Sequence, residues 1–336
     1  MGRRSGAVAM KAMRLVPLVL VAGTLAAVCD DSSRRPVGAL PKRGATDDTN
    51  SVARKVGEIQ DLHAPESVKY DSAQDVFFIS NIQGVGSARD NHGFIVRVSA
   101  AEYGRLSMFA ESGKNGVELN APKGMALQGD TLWVADIDVL RGFDRRSGAT
   151  LATVDFRGHD AVMLNDVALG PDSALYITDT GIIMSPKGVV HAGGDKIFRM
   201  HGRTIETVPT SPPIGWPNGI TWDSRNKRWL VVTFDPFASE LTTMAHGNSA
   251  RAKLGSGIGR FDGVEVLTDG RILVSAWSDS SIHAFADGKD QKIIRHLSQP
   301  ADIGLDTRRN RLAIPLVMMD RVQFWEIAPQ AKTARR

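Results

Sequence analysis

Four oxygen-bearing side chains stand at equivalent places in a phrase that this chain repeats: Glu66 in PES, Asn165 in LND, Asn218 in WPNGITWD and Asp262 in FDGVEVLTDG. Two carboxylates and two carboxamides brought to one point would make a hard, anionic oxygen cage. That donor set suits Ca2+ first, and Mg2+ with more retained water, with Mn2+ or Zn2+ as the remaining alternatives. No His or Cys cluster competes for the place, which counts against a structural zinc site. An open position on such a cation would polarise a carbonyl or phosphoryl oxygen of a small-molecule substrate. Lys123 and Ala301 hold the other two equivalent places. An ammonium repels a nearby cation, so three arrangements are open for Lys123. It bends away along its stem, it binds an anionic group of the substrate, or it pairs with Glu66 and takes the cation's place.

Other side chains fall near these four along the chain. Asp136 and Asp179 end apolar strands and would face a pocket as acid, base or supporting groups, although an aspartate at a strand end commonly caps a turn. Trp216, just before Pro217, offers an apolar wall, and Phe234 and Trp277 fall at comparable points. His159 precedes the Asn165 phrase and is a candidate base or a solvated loop residue. There is no G-x-S-x-G elbow, no Walker-type loop, and the single cysteine lies at residue 29, so serine-elbow and cysteine nucleophiles are not supported.

The elements that must position these residues are read from the repeat itself. The phrase is a short alternating strand, a polar turn and a more apolar strand. It recurs at 65–82, 121–138, 164–181, 217–235, 261–278 and 300–318. Gly129-Asp130, Pro171-Asp172-Ser173 and Asp269-Gly270 supply turn chemistry suited to tight hairpins. Further strand-like stretches follow, among them GFIVRVS, KIFRM, SIHAFA and VQFWEI. The span from His63 to Ile327 divides into six units of about 44 residues, the length of a four-stranded blade. The expectation is an all-β, six-bladed β-propeller with four-stranded antiparallel blades, its first strands lining a central channel. A pair of packed sheets would not require one phrase six times. Val52 to Leu62 is expected to add the outermost strand of the last blade and close the ring.

With the motifs in this order the chain resembles the senescence-marker-protein/gluconolactonase family, and more widely the calcium-dependent six-bladed hydrolases related to paraoxonase. The resemblance covers all six repeats. It implies a metal-dependent hydrolase of lactones or related esters. In the gluconolactonase group the residues matching Glu66, Asn218 and Asp262 hold the metal and that matching Asn165 positions substrate, whereas in the paraoxonase-like group all four face calcium. It further implies that Asp262 orients water or acts as a base. Two positions depart from the pattern: Met163 stands where many members have an arginine that contacts a sugar acid, and Lys123 interrupts the oxygen ring.

The ends divide the chain further. Residues 1–29 read as an export signal, with Arg3, Arg4, Lys11 and Arg14 ahead of an apolar run from Leu15 to Val28. Cys29 is placed either for lipidation or for removal with the signal. Residues 30–50 read as a flexible linker, 51–328 as the propeller and 329–336 as a tail. The expected location is therefore periplasmic or extracellular, with membrane contact only through the signal or a lipid anchor. The net charge of +4 is spread without a basic stripe, so nucleic acid is excluded as a partner and a monomer is expected. The reading from another class is a non-catalytic propeller that binds a ligand or protein.

Overall fold

The computed structural model describes residues 52–185 and 187–330, so the signal, the whole of the linker, Cys29 and the last six residues lie outside the described residues. Within them the chain forms six four-stranded antiparallel sheets, each a blade. Blades 1 to 5 open with Pro65–Asp71, Pro122–Gln128, Leu164–Leu169, Pro217–Asp223 and Phe261–Val266. Blade 6 opens with the short Gly304–Asp306 and runs outward through Arg311–Leu316 and Arg321–Ile327. Its fourth strand is Ala53–Ile59, paired antiparallel with Arg321–Ile327 from Ala53 opposite Ile327 to Ile59 opposite Val322. The start of the propeller thus closes the ring, as the sequence suggests.

The core is divided by the blade seams, because each sheet is apolar on both faces and must pack on two neighbours. Phe77 and Phe324 join blades 1 and 6, Phe78 and Phe143 blades 1 and 2, and Phe156 and Phe198 blades 2 and 3. Tyr176 and Trp229 follow at the next seam, then Leu230 with Phe261, and Ile282 with Leu312. Tyr103 stacks on Phe324 at 4.0 Å where the ring closes. Two three-residue 3-10 turns, Arg157–His159 and Val317–Met319, are the helical segments among the described residues.

One insertion breaks the plan. Between the second and third strands of blade 3 the chain makes an extra hairpin, Ile182–Ser185 with Gly188–His191, which forms its own two-stranded sheet. It leaves from the end of Leu175–Asp179 that lies opposite Leu164, the same end as Asn165.

Candidate metal centre and its surroundings

The site is built by an irregularity repeated around the axis. In blades 1 to 5 the pairing of first and second strands slips just after the opening residue: between Pro65 and Ser67, Pro122 and Met125, Leu164 and Val167, Pro217 and Ile220, and Phe261 and Val264. Such a bulge releases a residue from the ladder and re-aims its side chain. The residues released are Glu66, Lys123, Asn165, Asn218 and Asp262. In blades 1, 3 and 5 a hydroxyl on the second strand takes up a freed amide. Ser80 Oγ accepts from Ser67 N at 3.0 Å, Thr178 Oγ1 from Asp166 N at 2.9 Å and Ser275 Oγ from Gly263 N at 2.8 Å. Two of these hydroxyls also donate to the next blade, Thr178 to the Asn218 carbonyl at 2.6 Å and Ser275 to the Ala301 carbonyl at 2.7 Å. They are positioning residues that sequence reasoning missed, although a Ser or Thr recurring in the second strand was a legible signal.

Glycines let the first strands approach. A Cβ on Gly124 would sit 2.5 Å from Asp166 Cα, one on Gly219 2.3 Å from the Asp262 carbonyl oxygen, and one on Gly263 2.5 Å from Ile303 N. Side chains at these places would push the ring residues apart.

Glu66, Asn165, Asn218 and Asp262 are all buried, between 2% and 6% exposed. Each carries an oxygen without a hydrogen-bond partner: Glu66 Oε2, Asn165 Oδ1, Asn218 Oδ1 and Asp262 Oδ1. A buried polar group left unpaired costs about 1–3 kcal/mol, so four at equivalent positions point to a ligand that supplies positive charge. The carboxyls say the same. Burial pushes Glu66 up to about 8, against the pull of Lys123, and pushes Asp262 well above the carboxylate range, with the Glu66 and Asp302 charges adding to the rise. The Trp277 indole N–H tempers the rise at Asp262 without closing a hydrogen bond, so Trp277 Nε1 is also unpartnered. A divalent cation fits this donor set of two carboxylates and two amides. Among the described residues no group of three or more His, Cys, Asp or Glu side chains is placed to hold a metal.

Lys123 is 1% exposed, and its ammonium donates to the carbonyls of Gly86 at 2.8 Å and Ala121 at 3.0 Å. No ion pair joins it to Glu66 among the described residues, so it bends to backbone carbonyls. Burial lowers its pKa, while the Glu66, Asp136 and Asp262 charges oppose that fall. Its charge is therefore felt at the ring although its hydrogen bonds go elsewhere.

Asp136 and Asp179 are spent on the backbone. Asp136 accepts from the amides of Asn120 and Ala121 and from Arg141 Nε at 2.6 Å. Asp179 accepts from the amides of Val162, Met163 and Gly181. Both hold the segments that lead into ring strands instead of presenting a free carboxylate. His159 lies in the exposed Arg157–His159 turn, against Phe156 and Phe198.

Trp216 joins an apolar cluster built on Met163, Ile182 and Phe234, together with Met184, Val189 and Trp277. These residues flank Asn165, Asn218 and Asp262 in sequence and register. His191 of the extra hairpin stacks on Trp216 at 3.9 Å, and Asp195 receives both the His191 ring nitrogen and the Trp216 amide. The connection after blade 1's second strand reaches the same region: Ser87 Oγ accepts from Met184 N at 3.0 Å, and Arg89 pairs with Asp138. Two clefts lie elsewhere, one of about 490 Å3 beside His63 and Glu111 and one of about 350 Å3 beside Tyr176 and His246.

Below the ring is a second set of charges. Asp302 accepts from Ser67 Oγ, Asp166 accepts from the amides of Val167 and Ile220, and Lys69 lies 3.8 Å from Glu265. Burial raises Asp166 to about 7 and also raises Asp302 well above the ordinary carboxylate range. Burial would lower Lys69, but Glu265, Asp166 and Asp302 hold it above its ordinary value.

Fold and site together define a six-bladed propeller whose channel carries buried, unpartnered carboxylate and amide oxygens. The chain belongs to the SMP-30/gluconolactonase/LRE-like family, whose pattern matches residues 66–304. Comparison with curated proteins gives no match. Among solved structures, a protein described as a candidate gluconolactonase is 18% identical, with a TM-score of 0.59 over 82% of this chain and 92% of that one. A catalytically inactive virginiamycin B lyase from Staphylococcus aureus with quinupristin is 13% identical, with a TM-score of 0.56 over 82% and 99%. The PQQ-bound aldose sugar dehydrogenase of Streptomyces coelicolor is 16% identical, with a TM-score of 0.58 over 82% and 98%. At these identities the likeness is one of fold.

Proposed function

We propose that this chain is an exported, divalent-cation-dependent hydrolase of a lactone, ester or phosphoester. The observation that carries the reading is the set of four buried oxygens without partners on Glu66, Asn165, Asn218 and Asp262. Family membership supports lactone or ester chemistry over the other reactions that propellers host. Glu66, Asn165, Asn218 and Asp262 would hold the cation, with Ca2+ preferred for its tolerance of mixed carboxylate and amide oxygens. When bound, the cation supplies Lewis-acid polarisation of the scissile carbonyl or phosphoryl oxygen.

The chain's own groups do the rest. Asp262, ionised when it faces the cation, would accept the proton of the attacking water. The Trp277 N–H, unpartnered beside Asp262, is available to a substrate oxygen. The apolar cluster around Met163 and Phe234 excludes bulk water. A binding propeller would be favoured by a Lys123–Glu66 ion pair, whereas Lys123 is bonded to Gly86 and Ala121. Export, to the periplasm or beyond, rests on the sequence of residues 1–29, and a monomer remains the expected assembly.

The test is metal analysis of chelated and calcium-reloaded protein, paired with a panel of lactones, aryl esters and phosphotriesters. One tightly held calcium and cation-dependent turnover, both lost in Asp262→Asn, are expected. Unchanged metal content and turnover in that variant would remove the proposal.

A further inference from the structure

Resting on the hydrolase reading above, the geometry points to a substrate with one polar reacting group on an otherwise apolar body: an alkyl- or aryl-substituted lactone or ester, not a polyhydroxylated sugar lactone. The first ground is the wall. Met163, Ile182 and Phe234 are buried together, and Met184, Val189, Trp216 and Trp277 pack on them while staying partly open. They stand next to Asn165, Asn218 and Asp262, so a group held at the ring extends along them.

The second ground is a count of free polar partners. A sugar lactone brings several hydroxyls, each needing a donor or acceptor once out of water. Several polar groups at this end of the channel are already committed, and the Lys123 ammonium spends two of its three N–H donors on Gly86 and Ala121. Asp136 and Asp179 are filled by backbone amides and Arg141, and Thr180 donates to the Pro217 carbonyl at 2.6 Å. Asp195 holds His191 and Trp216, and Ser87 links Met184 to Met163. Among the described residues the unpartnered buried groups near the mouth, besides the ring oxygens, are Trp277 Nε1, Ser278 Oγ and Asp138 Oδ1. Trp277 and Ser278 can serve one carbonyl or leaving oxygen, and Asp138 is already paired with Arg89. Met163 itself carries no charge, its Sδ already takes the Ser87 hydroxyl, and its main-chain N–H belongs to Asp179.

Binding of two lactams that resist hydrolysis separates the cases: 6-pentyl-2-piperidinone and gluconolactam. Each is titrated by calorimetry and tryptophan fluorescence into the full propeller, with and without calcium. The alkyl lactam should bind about 100-fold more tightly, the scale on which an apolar pocket rejects an added hydroxyl. Met163→Gln should shrink that preference at least fivefold. Met184→Gln, at a half-buried position where folding is less at stake, should do the same. Equal or tighter binding of gluconolactam by the wild type overturns the inference, as does a preference unmoved in a folded variant. The calcium arm reports separately on the hydrolase reading. A preference for the alkyl lactam without any calcium binding would keep the apolar site and sink the hydrolase.

Discussion

Glu66→Gln should make the cation-free protein more stable while making it a worse cation binder. Burial raises the Glu66 carboxyl from its ordinary 4.5 to about 8, with the charge of Lys123 lowering it and that of Asp302 raising it. A carboxyl with a raised folded-state pKa keeps its proton in the native state between those values, whereas the unfolded chain releases it. Stability of the cation-free protein therefore falls as pH rises from 4.5 to about 8 and levels above that. At pH 7, roughly 2.5 pH units above the ordinary value, the loss corresponds to about 3 kcal/mol. An amide of the same shape removes that penalty. Because the native carboxyl is mostly protonated at pH 7, little charge beside Lys123 is lost with it, and the net gain is about 1–3 kcal/mol. Denaturant unfolding in EDTA from pH 5 to 8 reads the slope, and calorimetric titration with calcium reads the affinity. Expected are a flatter pH profile and higher stability at pH 7 for the variant, with calcium binding weakened at least tenfold. Lower stability in EDTA with the slope intact would refute the placement of Glu66 in a buried ring where no ion pair offsets its burial.

Other perturbations test separate links. Lys123→Met should raise calcium affinity on the order of 10- to 100-fold, the effect of about 1–3 kcal/mol that one nearby charge exerts on a divalent ion at an effective dielectric near 20. The same variant strands the Gly86 and Ala121 carbonyls and should lower stability by about 1–3 kcal/mol. Affinity unchanged by calorimetry would show that the ammonium is not felt at the ring. Gly219→Ala places a Cβ 2.3 Å from the Asp262 carbonyl oxygen, so the first strands of blades 4 and 5 must separate. A loss of about 1–3 kcal/mol in denaturant unfolding is expected, with weaker calcium binding because Asn218 and Asp262 move apart. Asp75, held at about 2 by hydrogen bonds from Arg309, outweighing its partial burial, ties the inner hairpins of blades 1 and 6. Its contribution is present above about pH 4 and is lost as pH falls toward 2, so Asp75→Asn should flatten that part of an acid-unfolding curve.

The repeated phrase made the architecture legible because a blade cannot bury its two faces alone, so the same alternation must recur at each seam. It also carried the ring, since residues at one place in the phrase are released by the same bulge. Lys123 was harder to read. Its destination is set by the Gly86 carbonyl, which a loop from another blade brings in. The commitments of Asp136 and Asp179 were ambiguous because an aspartate at a strand end serves a turn or a pocket equally well until the amides around it are placed. The hairpin at Ile182–His191 has no counterpart in the other blades, so the repeat could not announce it. Asp166 and Asp302 lie one residue beyond the ring positions, and their neighbourhood with Lys69 and Glu265 depends on depth along the channel.

A crystal structure grown in calcium chloride tests the central claim most directly. It should show one cation bound by Glu66 Oε2, Asn165 Oδ1, Asn218 Oδ1 and Asp262 Oδ1 at about 2.3–2.6 Å, with Lys123 still bonded to Gly86 and Ala121. An empty ring with the Lys123 ammonium turned onto Glu66 would contradict it.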